Sequence, residues 1–361
     1  MSIDDRLDRL AAFAPTSFPV ISLYLNTQPD HRGRADFDSF IRKEIGTRGK
    51  TYPARSPERE SFERDAERIN KYLDLELRPS SNGVALFACW GAGGFFEDVQ
   101  LEAPIQKHRL YVFDQPHLYD LARLNDRYRR YAVLVADTNS ARLFVFGMRK
   151  TLSEEDVTNR KVSRTKIGGW SQARYQRHTK NFHLHHAKDL VDALDRTVRE
   201  DNIDLIVLAG DEVIIPVLQA QLPAHLASKV VDVLRLDIKT PEHEILSATL
   251  EAMRERDADE DIGKVAALLD AYRSGGLAVA GPEDTLAALE QGQVDELLLS
   301  ASLRQLSIRD NDPAAHSEER LILADALVTK ARQTGAHITF IEKEDLLADI
   351  GGTGALLRYR T

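Results

Sequence analysis

Between Lys161 and Lys188 the chain carries seven Lys or Arg and four His with no acidic residue, inside a protein of 361 residues and formal charge −9. Without those seven cations the rest would stand at −16. Cations concentrated against the trend suit a polyanion, because each Lys or Arg that meets a phosphate releases a condensed counterion. Lys166, Arg174, Arg177 and Lys180 are the candidate phosphate contacts, and Trp170 and Tyr175 offer faces on which unpaired bases can stack. Gly168 and Gly169 remove two side chains in their midst, which permits positive φ and close approach of backbone to a ligand. RNA or DNA is the first partner these residues imply. A flexible basic loop anchored by a buried Trp170 is the alternative.

The run GGWSQARYQR is similar, without a gap, to the Gly-Gly-Gln loop of the archaeal and eukaryotic class-one peptide chain release factors, which reads GGQSALRFAR. The two glycines, the serine, Arg174, Tyr175 and Arg177 fall in register. Trp170 stands where that family has its glutamine, and Gln172 lies two residues further on. The pattern looks more like the bacterial branch of the superfamily and the peptidyl-tRNA hydrolase of eukaryotic ribosome quality control. The resemblance implies the ribosome, through ribosomal RNA at the A site, and tRNA as partners. The reaction it implies is attack of water on the ester of peptidyl-tRNA, with no cofactor. Gly168 and Gly169 would supply reach and backbone N–H donors, and Gln172 would orient the water. A noncatalytic binder of the A site, of the Pelota type that acts in rescue or hibernation, is the alternative. A tRNA nuclease built on Asp137, Asp211 and Glu212 is a third reading.

Elsewhere the resemblance is informative by its gaps. Release factors read stop codons with an Asn-Ile-Lys-Ser loop and a Tyr-x-Cys-x-x-x-Phe motif. Here YVFDQPH keeps Tyr111 but has Phe113 and His117 at the other two positions, and no Asn-Ile-Lys-Ser occurs. Codon-independent action is the expectation. Arg48, Lys50 and Arg55 are further cations for ribosomal RNA, or an ordinary solvated loop. Towards the end of the chain, AGPEDTLAALEQGQVDELLLS and GGTGALLRYR resemble the family's third domain. A translational GTPase is that domain's usual partner, although the link Ala301 to Ser317 departs from the family's pattern.

These features need a scaffold, and the expected one is α/β, with mixed sheets and helices in a three-domain release-factor-like order: 1-129, 130-252 with the projecting basic glycine loop, and 253-361. Phe18 to Asn26, GVALFACW, FFEDVQLE and RLYVFD read as strands, with helices over Asp4 to Phe13, Ala35 to Ile45 and from Ser56-Pro57 to about Leu77. YAVLVADTNSARLFVFG reads as a hairpin, and LIVLAG as a buried parallel strand. Ala187, Leu190, Val191, Leu194 and Val198 form the apolar stripe of a helix. The stretch DADED is the expected linker. His183, His185 and His186 lack the i, i+4 pair that places two imidazoles on one helical face, so no metal is assigned. His183 is expected on the apolar stripe and His185 on the polar side.

A single cysteine, Cys89, excludes an internal disulfide framework and fits a reducing cytoplasm. No apolar run approaches the ~20 residues of a membrane span. The acidic N-terminus MSIDDRLDRLAAF does not read as a signal peptide.

Overall fold

The computed structural model describes residues 3–28, 37–79, 81–101, 105–127, 130–147, 155–158, 172–306 and 317–360, with backbone only at 155–158, 172–182, 243 and 254. The chain divides into two compact units: Met1–Tyr128 together with Ala258–Thr361, and Arg129–Asp257.

The first unit opens with α1 (Ile3–Ala11), β1 (Val20–Asn26), α2 (Phe37–Gly49), α3 (Pro57–Leu75), β2 (Gly83–Cys89), β3 (Phe95–Leu101), β4 (Arg109–Phe113) and α4 (Tyr119–Arg127). Its strands pair antiparallel in the order β3-β2-β1-β4. Phe37, Ile41, Phe62 and Ile69 from α2 and α3 pack on Ile21, Leu23, Val84 and Leu86. The start of α3 follows its sequence: the Ser56 side chain accepts the Arg59 N–H at 3.1 Å, and Pro57 takes the first helical position, where its missing N–H costs nothing. α2 was expected to stop before Gly46 and instead continues to Gly49. A glycine in an exposed helical turn costs only about 1 kcal/mol. Packing of Ile45 and Tyr52 against the core outweighs it.

The second unit contains β5 (Tyr131–Ala136), β6 (Ser140–Phe146), β7 (Glu155–Thr158), α5 (Gln172–Glu200), β8 (Leu205–Gly210), α6 (Ile214–Gln221), α7 (Ala224–Ala227) and β9 (Val230–Leu234), and α8 (Glu242–Arg273) begins in it. The sheet order is β7-β6-β5-β8-β9, with β8 parallel to both neighbours and buried, as its continuous apolar run requires. Ala187, Leu190, Val191, Leu194 and Val198 of α5 all enter the core. The expected linker Asp257–Asp261 does hold the boundary between the units, at Asp257/Ala258, but it lies inside α8 and is no break in the helix. Its acids occupy helical positions with no Gly or Pro to interrupt them, and charge alone does not break a helix.

The chain returns to the first unit with β10 (Ala278–Ala280), α9 (Pro282–Glu290), β11 (Val294–Ser300), α10 (Ser317–Gln333), β12 (His337–Ile341) and β13 (Thr353–Leu357). The sheet order is β10-β13-β11-β12, antiparallel except for β11 beside β12. The buried residues of α10, Ala324, Asp325, Leu327, Val328, Thr329 and Ala331, form no single stripe, the pattern of a helix covered on several sides. α9 and β12 cover it from the C-terminal part, and α1 and α4 from the N-terminal part.

Asp325 is the polar centre of that junction. It is 4% exposed, and its Oδ1 accepts the backbone N–H of Leu118 at 2.5 Å and of Tyr119 at 3.2 Å, capping the start of α4 from another helix. His117 Nδ1, fully buried, lies 3.4 Å from the same oxygen. Around them Tyr119 donates to the Ser300 carbonyl, Arg123 grips Glu342, and Arg332 binds Asp4 and Asp8. Asp325→Ala leaves two buried N–H groups without an acceptor and should lower stability by about 3 kcal/mol in urea unfolding. Asp325→Asn, which keeps an acceptor oxygen, should lose less.

A second buried carboxyl gives a pH dependence. Asp65 on α3 is 1% exposed and accepts the Trp90 N–H at 2.8 Å, while its Oδ1 has no hydrogen-bond partner. Burial pushes its pKa from 3.8 up to about 6, against the opposing bond from Trp90. The folded state therefore holds this proton more tightly than the unfolded chain. Its contribution to stability is complete below pH 3.8 and is lost as pH rises to about 6. Urea unfolding from pH 7 down to pH 4 should show wild type gaining stability relative to Asp65→Asn; parallel curves would contradict this.

Candidate nucleic-acid interface

Helix α5 carries the described part of the segment with the cation excess, from Gln172 to Lys188. Two contacts fix its direction along the sheet. Near its end, the Asp201 carbonyl and carboxylate accept both terminal nitrogens of Arg130, just before β5 begins. Further back, His186 is fully buried against the Asp137–Ser140 turn, where β5 ends. α5 thus runs antiparallel to β5, and residues 186 to 201 span the strand's length. The fourteen helical residues from Gln172 to His185 extend beyond the strand's C-terminal end, a distance of about 21 Å at 1.5 Å per residue. Gln172 is the first residue of that extension, and Arg174, Tyr175, Arg177 and Lys180 follow on it. These five were expected on a loop; their backbone is helical, because between Gly169 and Glu200 the sequence has no Gly or Pro and is rich in helix formers. Lys166, Gly168, Gly169 and Trp170 lie outside the described residues.

The histidines and acids nearby have structural work. His183 is half-buried and His185 exposed, and His186, for which no side was expected, is fully buried. Burial lowers the His186 pKa, and hydrogen bonds to the backbone of Asp137 and Ser140 oppose that shift. Asp137 and Asp211 sit side by side, each one residue past the paired ends Ala136 and Gly210 of β5 and β8. Asp137 Oδ1 closes the hairpin by accepting the N–H groups of Asn139 and Ser140, both at 2.7 Å. Asp211 Oδ1 accepts the N–H of Val213 and Ile214 at the start of α6. Glu212 pairs with Arg235 at 2.6 Å. Among the described residues no group of three His, Cys, Asp or Glu could hold a metal ion.

In the first unit, the positions in register with the family's codon-reading motif are occupied by packing. The His117 and Tyr111 rings lie 3.9 Å apart between centroids, and the Tyr111 hydroxyl donates to Asp120 at 2.8 Å. Backbone bonds from His117 to Ser22 and from Tyr24 to the His117 carbonyl hold the ring inward. Phe113 stacks on Tyr111. Sequence reading missed Asp325, which closes this cluster from more than two hundred residues away. A polar residue in an otherwise apolar stretch of α10 was the available signal, and it names no partner.

The family model "Bacterial archaeo-eukaryotic release factor family 10" matches residues 116–254, and "eRF1 domain 3" matches residues 259–361. Peptide chain release factor subunit 1 of Thermococcus onnurineus (strain NA1) is 23% identical over 360 residues, covering 81% of this chain and 83% of the relative. Dom34 of S. cerevisiae, a translation termination-like factor, aligns over 78% of this chain and 87% of its own at 14% identity and a TM-score of 0.42. Archaeal Pelota, from a ribosome-bound model with ABCE1, aligns over 100% and 95% at 15% identity and a TM-score of 0.41. With two family models following one another along the chain from residue 116 to its last residue, the protein belongs to the release-factor-like superfamily.

Proposed function

We propose that this protein acts in the cytoplasm on the ribosome, where it hydrolyses the ester of peptidyl-tRNA on stalled ribosomes or large subunits without reading a codon. The observation that carries the reading is the extension of α5. The segment similar to the family's glycine loop runs directly into a helix that reaches about 21 Å past its sheet. Glycine backbone and an amide carried at the end of a rod suit a narrow site in which an ester must be met by positioned water and fixed donors. Gly168 and Gly169 give close approach, and Gln172 orients the water. Lys166, Trp170, Arg174, Tyr175, Arg177 and Lys180 hold the surrounding RNA.

Codon independence is supported by the burial of His117 and the engagement of Tyr111. The division into 1–129, 130–252 and 253–361 belongs to the same proposal, with the last part available to a translational GTPase. Trp170 at the family's glutamine position favours a second reading, a noncatalytic A-site binder acting in rescue or hibernation.

Two measurements test these readings. Gln172→Ala should slow release from peptidyl-tRNA on isolated large subunits by about a hundredfold or more, with binding unchanged, since a group used only in the transition state affects turnover and not affinity. Full release by the variant would move the role to the backbone or to Trp170, and tight binding without release by wild type would favour the second reading. Arg174→Glu with Arg177→Glu should weaken cosedimentation with ribosomes and reduce its salt slope by about one per lost phosphate contact. Cosedimentation insensitive to both substitutions and to salt would remove the RNA role of this helix.

A further inference from the structure

We propose that the cavity between β4 and α4 in the first unit is a binding site for a single phosphate group. Its volume is about 60 Å³, and Lys107, Arg109, Arg123 and Arg127 line it, with Asp120 the one carboxylate among the described lining residues and Gln106 a neutral donor. The cavity has room for a few waters and is open to solvent, which is enough for one small oxyanion. Among the described residues, four cations against Asp120 and the Glu342 that holds Arg123 leave an excess of positive charge, again counter to a chain of net charge −9. Like charges gathered round a cavity repel, and an anion in it reverses the sign of that interaction.

Two of the cations are fixed before any ligand arrives. Arg109 Nη1 donates to both oxygens of Asp120, at 2.8 and 3.1 Å, and the Tyr111 hydroxyl donates to the same carboxylate. Arg123 is held by Glu342 through Nε and Nη2, at distances from 2.8 to 3.2 Å. A guanidinium held by a carboxylate loses little rotamer freedom on binding, and its planar donors match phosphate oxygens. Lys107, exposed on the strand side, and Arg127, on the last turn of α4, supply the outer charge. The same chemistry is offered by a free phosphate compound and by an RNA backbone. This site lies outside the unit that carries the glycine segment, uses none of its residues, and stands independently of the ribosome reading.

The test separates the two sources and uses the full chain. Its unfolding temperature is followed in sodium phosphate and in sodium chloride of matched ionic strength, for wild type, Lys107→Glu and Arg127→Gln. A short fluorescein-labelled single-stranded RNA is titrated in parallel, with Arg174→Glu and Arg177→Glu in the background so that α5 does not report. Phosphate should raise the wild-type unfolding temperature above that in chloride, and both variants should lose the difference. If RNA affinity also falls several-fold in the variants, the phosphate is one of an RNA backbone. If the phosphate response is lost while RNA binding is unchanged, the ligand is a free phosphate compound. Equal temperatures in phosphate and chloride for wild type, with RNA affinity untouched by either substitution, overturn the proposal. So does a phosphate response that both folded variants keep. Ribosome cosedimentation of the Arg174→Glu, Arg177→Glu protein reports on the other site alone.

Discussion

One carboxylate, Asp325, joins the ends of the chain. It sits at the crossing of α10 with α4, almost without access to water, and burial holds its pKa above the ordinary carboxylate range, with His117 and two N–H bonds pulling the other way. Such a group is tolerated only because the N–H groups of Leu118 and Tyr119 would themselves lack an acceptor without it. The consequence is topological. A complete second unit is inserted between the two halves of the first, and the closure that joins them costs entropy that rises only with the logarithm of the inserted length. Buried side chains on several sides of α10 offset that cost. The N-terminal and C-terminal sheets are therefore parts of one folded body.

The inserted unit solves a different problem, holding a cationic rod out from a small sheet. Nucleation is the costly step for a helix, and added residues need only propagate it. In α5 the half from His186 onward is fixed by Ala187, Leu190, Leu194 and Val198 in the core and by Asp201 on Arg130. The half from Gln172 to His186 extends a helix that already exists, so it needs no core of its own. Lys and Arg rank among the good helix formers, which lets the same residues serve as helix and as charge. A basic segment continuous with a packed helix gains position at small structural cost.

Much of this was legible in the sequence where the signal is local. The Ser56-Pro57 start, the hairpin around Asp137, the buried run LIVLAG and the stripe on α5 are each dictated by neighbours within one or two turns. What was misread depended on partners elsewhere. Gly46 and the acidic run at Asp257–Asp261 look like breaks, yet both lie within helices, because packing outweighs one glycine and charges do not terminate a helix; the run does mark where one unit gives way to the other. The burial of His186 against the Asp137 turn was not foreseen, because its partner lies on another element. Nothing near Asp325 announces α4, and nothing near Lys107 and Arg109 announces Arg123 and Arg127, because strand and helix meet only once the sheet is built.

The aligned motif at Tyr111, Phe113 and His117 shows why correspondence of position does not carry a role. A codon-reading surface must leave polar atoms exposed to a base, and its side chains must be free to meet one. Here the Tyr111 hydroxyl is spent on Asp120, Phe113 stacks on Tyr111, and His117 has no exposed surface. The carboxylate that caps α4 is also the one beside His117, so exposing that ring would require breaking the junction between the ends of the chain. Stability of the first unit and access to the aligned positions are thus opposed by construction. A surface committed to packing in this way leaves recognition to other parts of the chain, and the extension of the α5 backbone beyond β5 is the element placed for it.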